Sequence, residues 1–380
     1  MAEISVVKVC THRDLRHFLR FPYALYKDCS QFVPDLESDI KDWLDPRENP
    51  ALEFTEIQPF IAYRDGILVG RVVGIVNRKA NECWQTRKVR FSHIEFVDDE
   101  EVSAALIDAV SEWGWSMGMD TIEGPMGITD FDKEGMLVED FDLTSTMNTI
   151  YNPEYYPRHM EAMGFEKEVD WVQIRIQVPK EVPARYSRTA QYAREQIGLR
   201  VIKIKSEDVK RRGIVEKVFI LLNLAYKSLF GFSELSPKQV DKLANKYLNI
   251  LDMQLIPVVM NEKDEVVGVA VTMGSMSRAL QKAGGRLWPR GWWYILRALR
   301  GKGVDNAEML LVAVHPEYQG MGVNALFFDD LIPIYNQYGF EWAETAPQLE
   351  FNVKELSQWK PLNPQFVKRR RCYHKLIDKK

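Results

Sequence analysis

The sequence predicts an α/β (α+β) protein of two domains in tandem, and three observations predict it. Strand-like and helix-like periodicities alternate along the chain. One order of elements, two strands joined by a turn, then a third strand, a crossover helix and a further strand, occurs in both halves. The 380 residues, 46% of them hydrophobic and 27% charged, are enough to bury two cores.

In the first half, PFIAYRDG and ILVGRVVGIVN read as strands joined at Asp65-Gly66, a hairpin dipeptide. FSHIEFV is a third strand. EEVSAALIDAVSEWGWSMGM follows as a helix with Val102, Leu106, Ala109, Val110 and Trp113 on one face, and DTIEGPM and DWVQIRIQV as strands. The second half gives a helix in GIVEKVFILLNLAYKSLF and two strands around a polar turn in QLIPVVMNEKDEVVGVAVTM. AEMLLVAV is then a strand, VNALFFDDLIPIYNQYG a helix and FEWAETA a strand. Two prolines and a polar run in VPKEVPARYSRTAQ set the boundary near residue 180, giving domains 1–180 and 181–380. Two stretches stand outside the repeat: the aperiodic, aromatic segment from Gly124 to Tyr156, and GGRLWPRGWWYILRALRGKG, with three tryptophans and five cations in twenty residues.

Composition excludes several classes. With 50 basic against 54 acidic residues the net charge is −4, so the chain as a whole is not built around a polyanion. KRRR at 368–371 and the basic stretch near 202–213 lack any accompanying nucleic-acid motif, and no nucleic-acid partner is expected. Cys10, Cys29, Cys83 and Cys372 are widely spaced, which suits a reducing compartment and argues against a structural metal. The N-terminus lacks the layout of a signal peptide, and VFILLNLAY is half the length of a bilayer span, so the expected location is cytoplasmic with at most peripheral membrane contact.

The chemistry-bearing turn is LLVAVHPEYQGMGVNALFFDDL, where a strand gives way to a helix through Gln319-Gly320-Met321-Gly322. Glycines admit an anion close to the backbone, and a helix start aims its amides at it. The same residues also suit a plain strand-to-helix turn. A Walker loop would need Lys followed by Ser or Thr, which is missing here. A dinucleotide fingerprint drawn from Gly320, Gly322 and Ala325 would need its first glycine directly after the strand, but HPEYQ intervenes.

The turn resembles the coenzyme A loop [RQ]-x-x-G-x-[GA] of the GCN5-related N-acetyltransferase (GNAT) superfamily, with Gln319 first, Gly322 fourth and Asn324 where Gly or Ala is expected. Beyond the loop, FVPDLESDIKDWLDPRENP, EGPMG, GMLVEDFD, YNPEYY, GRLWPRGWWYILRALR, LEFN and RRRCYHK resemble a bacterial family with two such folds in tandem, to which the bacterial ceramide synthases are related. The resemblance implies two GNAT folds, each a mixed, mostly antiparallel sheet flanked by helices. It also implies an acyl-CoA or acyl-carrier thioester as donor, an amine as acceptor, and no metal.

On that reading Val314, Gln319, Gly320, Met321, Gly322, Val323 and Asn324 hold the cofactor, with Asn352 on its pantetheine arm, and backbone amides of Met309–Val314 take the thioester carbonyl. Glu344 and Glu350 are the candidate bases, because a half-buried carboxylate can be tuned for proton removal, and Tyr373 can donate to the leaving thiolate. His315, before a proline at a strand end, reads better as a turn residue. In the twenty-residue basic stretch Trp292 and Trp293 group with leucines against Arg290, Arg297, Arg300 and Lys302, which suits a long acyl tail, a lipid amine or a membrane surface through 286–302; a helix packed on its own domain is the alternative.

The first half has no counterpart of the loop, since FSHIEFV runs into Asp98-Asp99-Glu100-Glu101, whose charges would repel a pyrophosphate. It is expected to bind no cofactor, to cover the acyl end and to supply an acceptor pocket from Glu123, Asp140, Asp142, Asn152 and Tyr155; Asp and Asn in such loops also serve simply as turn formers. Two classes stay open, an N-acyltransferase and a non-catalytic protein that binds an acylated carrier or lipid. Nucleotide hydrolysis lacks its R-E-x-x-E-E box.

Overall fold

A computed structural model describes residues 3–204, 213–247, 250–352 and 356–377. Of the basic stretch near 202–213, residues 205–212 lie outside the described residues. The first half runs β1 (Ile4–Lys8), α1 (His12–Leu25), α2 (Glu37–Leu44), β2 (Thr55–Arg64), β3 (Ile67–Asn77), α3 (Arg78–Trp84), β4 (Lys88–Phe96), α4 (Glu100–Ser116), β5 (Thr121–Gly124), β6 (Met136–Leu137), α5 (Tyr155–Ala162) and β7 (Glu166–Gln177). The second runs α6 (Ala184–Gln196), β8 (Arg200–Lys203), α7 (Ile214–Tyr226), α8 (Pro237–Tyr247), β9 (Pro257–Met260), β10 (Val266–Gly274), α9 (Ser277–Ala283), α10 (Gly291–Leu299), β11 (Asn306–Val314), α11 (Val323–Tyr338), β12 (Trp342–Thr345), β13 (Gln348–Leu349) and β14 (Gln365–Leu376).

Local rules account for most boundaries. Thr11 and Asp14 close a capping box on α1, and Asp99 caps α4. At the β2–β3 hairpin both Asp65 and Gly66 take positive φ, as a two-residue turn between twisted strands requires. The predicted face of α4 is buried through Val102, Leu106 and Val110, with Ala109 and Trp113 packed at its margin. None of the described helices is long and apolar enough to cross a membrane.

Two compact units result, and the strand pairings show the same plan in each. The first unit takes residues 1–172, 277–294 and 368–380, and the second takes 173–276 and 295–367. In the first the strand order is β1-β2-β3-β4-β5-β14, antiparallel throughout except for the parallel β4–β5 pair. In the second it is β8-β9-β10-β11-β12-β7, parallel only at β11–β12. Each unit is therefore a mixed, mostly antiparallel sheet with helices against it.

The division departs from the expected boundary near 180. Arg175–Gln177 of β7 pair with β12, while the chain's last strand pairs with β5. The halves thus exchange their final strands, and segment 277–294 also joins the first unit. Composition cannot reveal this, because strand exchange depends on pairing between residues remote in sequence. The basic run 368–371 is likewise structural: the Lys368 ammonium donates to the Thr144 carbonyl, Arg369 pairs with Glu139, Arg370 donates to the Ile150 carbonyl and Arg371 pairs with Asp170.

One buried charge stands out in the first unit. Arg71 of β3 binds both oxygens of Glu95, at 2.6 and 3.2 Å, donates to the Phe18 carbonyl at 2.8 Å and lies over the Phe18 ring. Removing one member of such a pair strands the other charge at a cost of about 3–5 kcal/mol. Arg71→Ala is expected to lower the stability of this unit by that amount in chemical denaturation, and Arg71→Met with Glu95→Leu to restore most of it.

Candidate functional site

The second unit contains an opening in the middle of its own sheet. β11 and β12 pair in parallel only from Asn306–Trp342 to Met309–Thr345, with the Ala346 amide donating to the Met309 carbonyl at 2.7 Å. A bulge at Leu310 then shifts the register of β11 against β10, and Leu311–Val314 keep β10 as their strand neighbour. Residues Met309–Val312 are half-exposed although their strand is central, which marks an open groove. The Tyr226 hydroxyl donates to the Val312 carbonyl on this stretch at 3.0 Å.

The glycine loop lies at the end of that strand. Pro316–Tyr318 form a short 3-10 turn, in which the His315 ring accepts from the Glu317 amide, so His315 serves the turn. Gly320 has φ 81° and Gly322 has φ 90°, conformations that side chains resist. A Cβ at 322 would also meet Ala193, and Thr189 at 3.2 Å, both on α6, so the loop fits tightly under that helix. Gly322 is the N-cap of α11 and provides no side-chain cap. The first-turn amides therefore keep their donors for an anion. Asn324, one turn residue further, has its Oδ1 buried without a hydrogen-bond partner.

At the root of the opening stand two buried carboxylates. Glu308 and Glu344 are register partners on β11 and β12, 1% and 0% exposed. Ser275 donates to Glu308 at 2.6 Å. Glu344 accepts from Gln173 at 3.0 Å through one oxygen and from Arg175 at 2.9 and 3.1 Å through the other, and that guanidinium lies over the Trp342 ring. Glu350 is half-buried just after β13, and Asn352 is half-buried with its amide donating to the Leu349 carbonyl.

The corresponding places in the first unit are filled by its own residues. There the register partners on the parallel pair are Arg90 and Glu123, an ion pair joined by Lys88, so opposite charges replace the two acids. Beyond the pair, the Phe96 carbonyl accepts from Tyr155 at 2.5 Å and its amide donates to the Tyr156 hydroxyl at 2.9 Å. The start of α4 is closed by Asp99, which accepts from the amides of Glu101 and Val102.

The predicted residues fall into groups. Val314, Gln319, Gly320, Met321, Gly322, Val323 and Asn324 lie on one strand-turn-helix segment, with Met321 exposed. Glu344 lies at the root of the opening; Tyr373 belongs to the first unit, in whose core its hydroxyl donates to Glu161. Among the acceptor candidates, Glu123 and Tyr155 make the bonds just described, Asn152 binds the backbone of Leu137, Asp140 accepts from the Lys368 amide, and Asp142 is exposed with its carbonyl accepting from Gln31. Trp292 and Trp293 are exposed on α10. Sequence reasoning missed Glu308, Ser275, Gln173, Arg175 and Tyr226, since each gains meaning only from register or from the exchanged strand. Glu308 alone carried a signal, an acid inside an apolar strand pattern. Among the described residues no group of three or more His, Cys, Asp or Glu could hold a metal.

No known protein-family profile matches the chain. It is 26% identical over 321 residues to a bacterial ceramide synthase of Caulobacter vibrioides, covering 84% of this chain and 82% of that one. It is 25% identical over 374 residues to protein YghO of Escherichia coli, covering 96% and 93%. Among solved structures it resembles a tandem GNAT protein from the clavulanic acid biosynthesis pathway, with TM-score 0.57 and 13% identity over 100% of both chains. A GCN5-related N-acetyltransferase from Sphaerobacter thermophilus gives 0.54 and 11%, covering 99% of this chain and 96% of that one.

In the first unit's loop, burial raises the titration of three acids, Asp130, Asp132 and Glu134. Burial pushes Asp130 up to about 7 and Glu134 well above the usual range, with the Arg90 guanidinium opposing both. A carboxyl raised in the folded state costs nothing below its ordinary value of 3.8, and its penalty grows as pH rises until it is complete above about 7. Asp130→Asn is therefore expected to stabilise the protein more at about pH 8 than at about pH 5, measured by denaturant unfolding.

Proposed function

We propose that this chain, a tandem GNAT protein of the acyltransferase-like group related to the bacterial ceramide synthases, is an N-acyltransferase that moves an acyl group from acyl-CoA to a lipid amine, using the second unit alone for the thioester. The observation that carries the reading is the conjunction, within one unit, of a central strand freed from its parallel neighbour and an uncapped helix start behind two positive-φ glycines. The strand offers amides and carbonyls to a pantetheine arm, and the helix start offers amides to a pyrophosphate, worth up to ~2 kcal/mol in a partly buried geometry. A carrier-protein thioester shares the arm and lacks the free nucleotide, so the built anion cradle favours the coenzyme A form.

The transfer joins the amine nitrogen to the thioester carbon and breaks the carbon–sulfur bond. Of the two protons that the ammonium gives up, one passes through a carboxylate to water and the other ends on the sulfur. Backbone amides freed at the Leu310 bulge stabilise the oxyanion. Glu344 is the proposed base, with Glu308 its neighbour and Arg175 and Gln173 fixing its orientation. The first unit, with Asp99 and Tyr155 and Tyr156 in the equivalent places, takes no coenzyme A there.

A second reading, binding without transfer, draws on one observation: both Glu344 oxygens are engaged by protein donors, as a carboxylate with a purely structural role would be.

Two measurements test the proposal. Isothermal titration should show coenzyme A binding to the wild type, weakened about a hundredfold or more by Gly322→Trp and kept or tightened by Asn324→Gly; no heat with either protein would remove the cradle. With a long-chain acyl-CoA and a long-chain primary amine, mass spectrometry should find the amide. Glu344→Gln should lower its rate of formation by roughly 10²- to 10⁴-fold with coenzyme A affinity unchanged, whereas an unchanged rate would give the base role to another group.

A further inference from the structure

The helix α10 and the loop before it are built the wrong way round for a segment that only covers a core. Of α10, Gly291 and Ala298 are buried, while Trp292 and Trp293 are 43% and 45% exposed and Leu296 is also exposed. In the loop, Leu287 and Trp288 face solvent, the tryptophan 77% exposed. An amphipathic helix in a soluble domain ordinarily buries its large apolar residues and leaves its small ones indifferent. Here the fully buried residues are the small ones, Tyr294, Ile295 and Leu299 are half-buried, and the tryptophans with Leu296 form an exposed patch.

Along the chain, the charge on either side of that patch has a single sign. Between Glu265 and Asp305 there is no acidic residue, yet the stretch contains seven cations in a chain whose net charge is −4. Arg290, Arg297 and Arg300 are exposed on or beside α10. The base of the loop is fixed: Gln281 donates to the Ser30 and Phe32 carbonyls, the Gly285 carbonyl accepts from the Glu37 amide at 2.8 Å, and Arg286 pairs with Glu37. The tryptophans are thus presented from an anchored platform.

We infer that Leu287–Arg300 is the docking surface of the protein on an anionic phospholipid bilayer. Trp288, Trp292 and Trp293 enter the headgroup region, and the arginines lie against the lipid phosphates. Amphipathic tryptophan rings favour that interface, and each nearby cation adds attraction to an anionic leaflet. A neutral protein partner would leave the one-signed rim without a complement. This extends the acyl-transfer reading by naming the phase from which a lipid amine is drawn, while depending on none of the residues of the cradle.

Flotation of the full chain with vesicles of phosphatidylcholine alone, and of phosphatidylcholine with phosphatidylglycerol, tests it. Binding to the mixed vesicles, weak binding to the neutral ones and a blue shift of tryptophan emission are expected. Trp288→Ala with Arg290→Glu and Arg300→Glu should cut partitioning by roughly fivefold or more for each cation lost, with the unfolding transition and coenzyme A affinity unchanged. Equal partitioning of variant and wild type, or no binding to either vesicle, overturns the inference. So does a wild-type dimer that Trp288→Ala disperses without any vesicle binding, which would make the patch a self-association surface. Since coenzyme A affinity is read on the same samples, loss of docking with the cradle intact is distinguishable from failure of the acyl-transfer reading.

Discussion

The acyl-transfer reading depends on a short parallel strand pair. β11 and β12 part after Met309 and Thr345, where β12 ends, and a bulge at Leu310 shifts the first strand against β10 at the same point. A parallel pair buried in a sheet normally continues until its strands end, since abandoned amides and carbonyls are costly without partners. Here the strand runs on for five residues, Leu310 to Val314, half-exposed over most of that length, and leads to a loop whose glycines and uncapped helix start add further unsatisfied donors. Concentrated hydrogen-bonding capacity of this kind is what the proposed thioester donor would use.

The first unit shows what the same plan looks like when that capacity is consumed. Its parallel pair is likewise short, three residues against four, and stops at Arg90 and Glu123. Tyr155 and Tyr156 satisfy the end of β4, Asp99 satisfies the start of α4, and the two acids of the second unit are replaced by a cation and an acid. One fold thus occurs twice with opposite outcomes, and the difference lies in a handful of side chains. The exchange of β7 and β14 means that each unit is completed by a strand from the other half of the chain.

Much of this was legible in the sequence, and the residues say why. The hairpins, α4 and α11 are local, written in periodicity and turn chemistry, and the glycine loop is a contiguous motif whose spacing survives without any knowledge of the fold. Glu344 could be chosen because it follows the loop on the next strand. By contrast, Arg175 and Gln173 come from the exchanged strand and Tyr226 from a helix far upstream, so no local pattern links them to the site. Tyr155 and Asn152 read as pocket candidates because polar and aromatic side chains in a long loop suggest ligands; the bonds they make to the backbone of Phe96 and Leu137 have no local sequence signal. The tryptophans of α10 were read correctly as amphipathic, but only the structure reveals that Gly291 and Ala298 form the buried side.

The central claim is that the two equivalent grooves differ in their capacity for an acyl thioester cofactor, and it can be tested within one molecule. Hydrogen-exchange mass spectrometry with and without coenzyme A compares peptides spanning 310–325 with those spanning 94–103. The account predicts slowed exchange in the first region, at the strand beyond the bulge and at the start of α11, and none in the second. Protection confined to 94–103, or shared equally between the two, would contradict it.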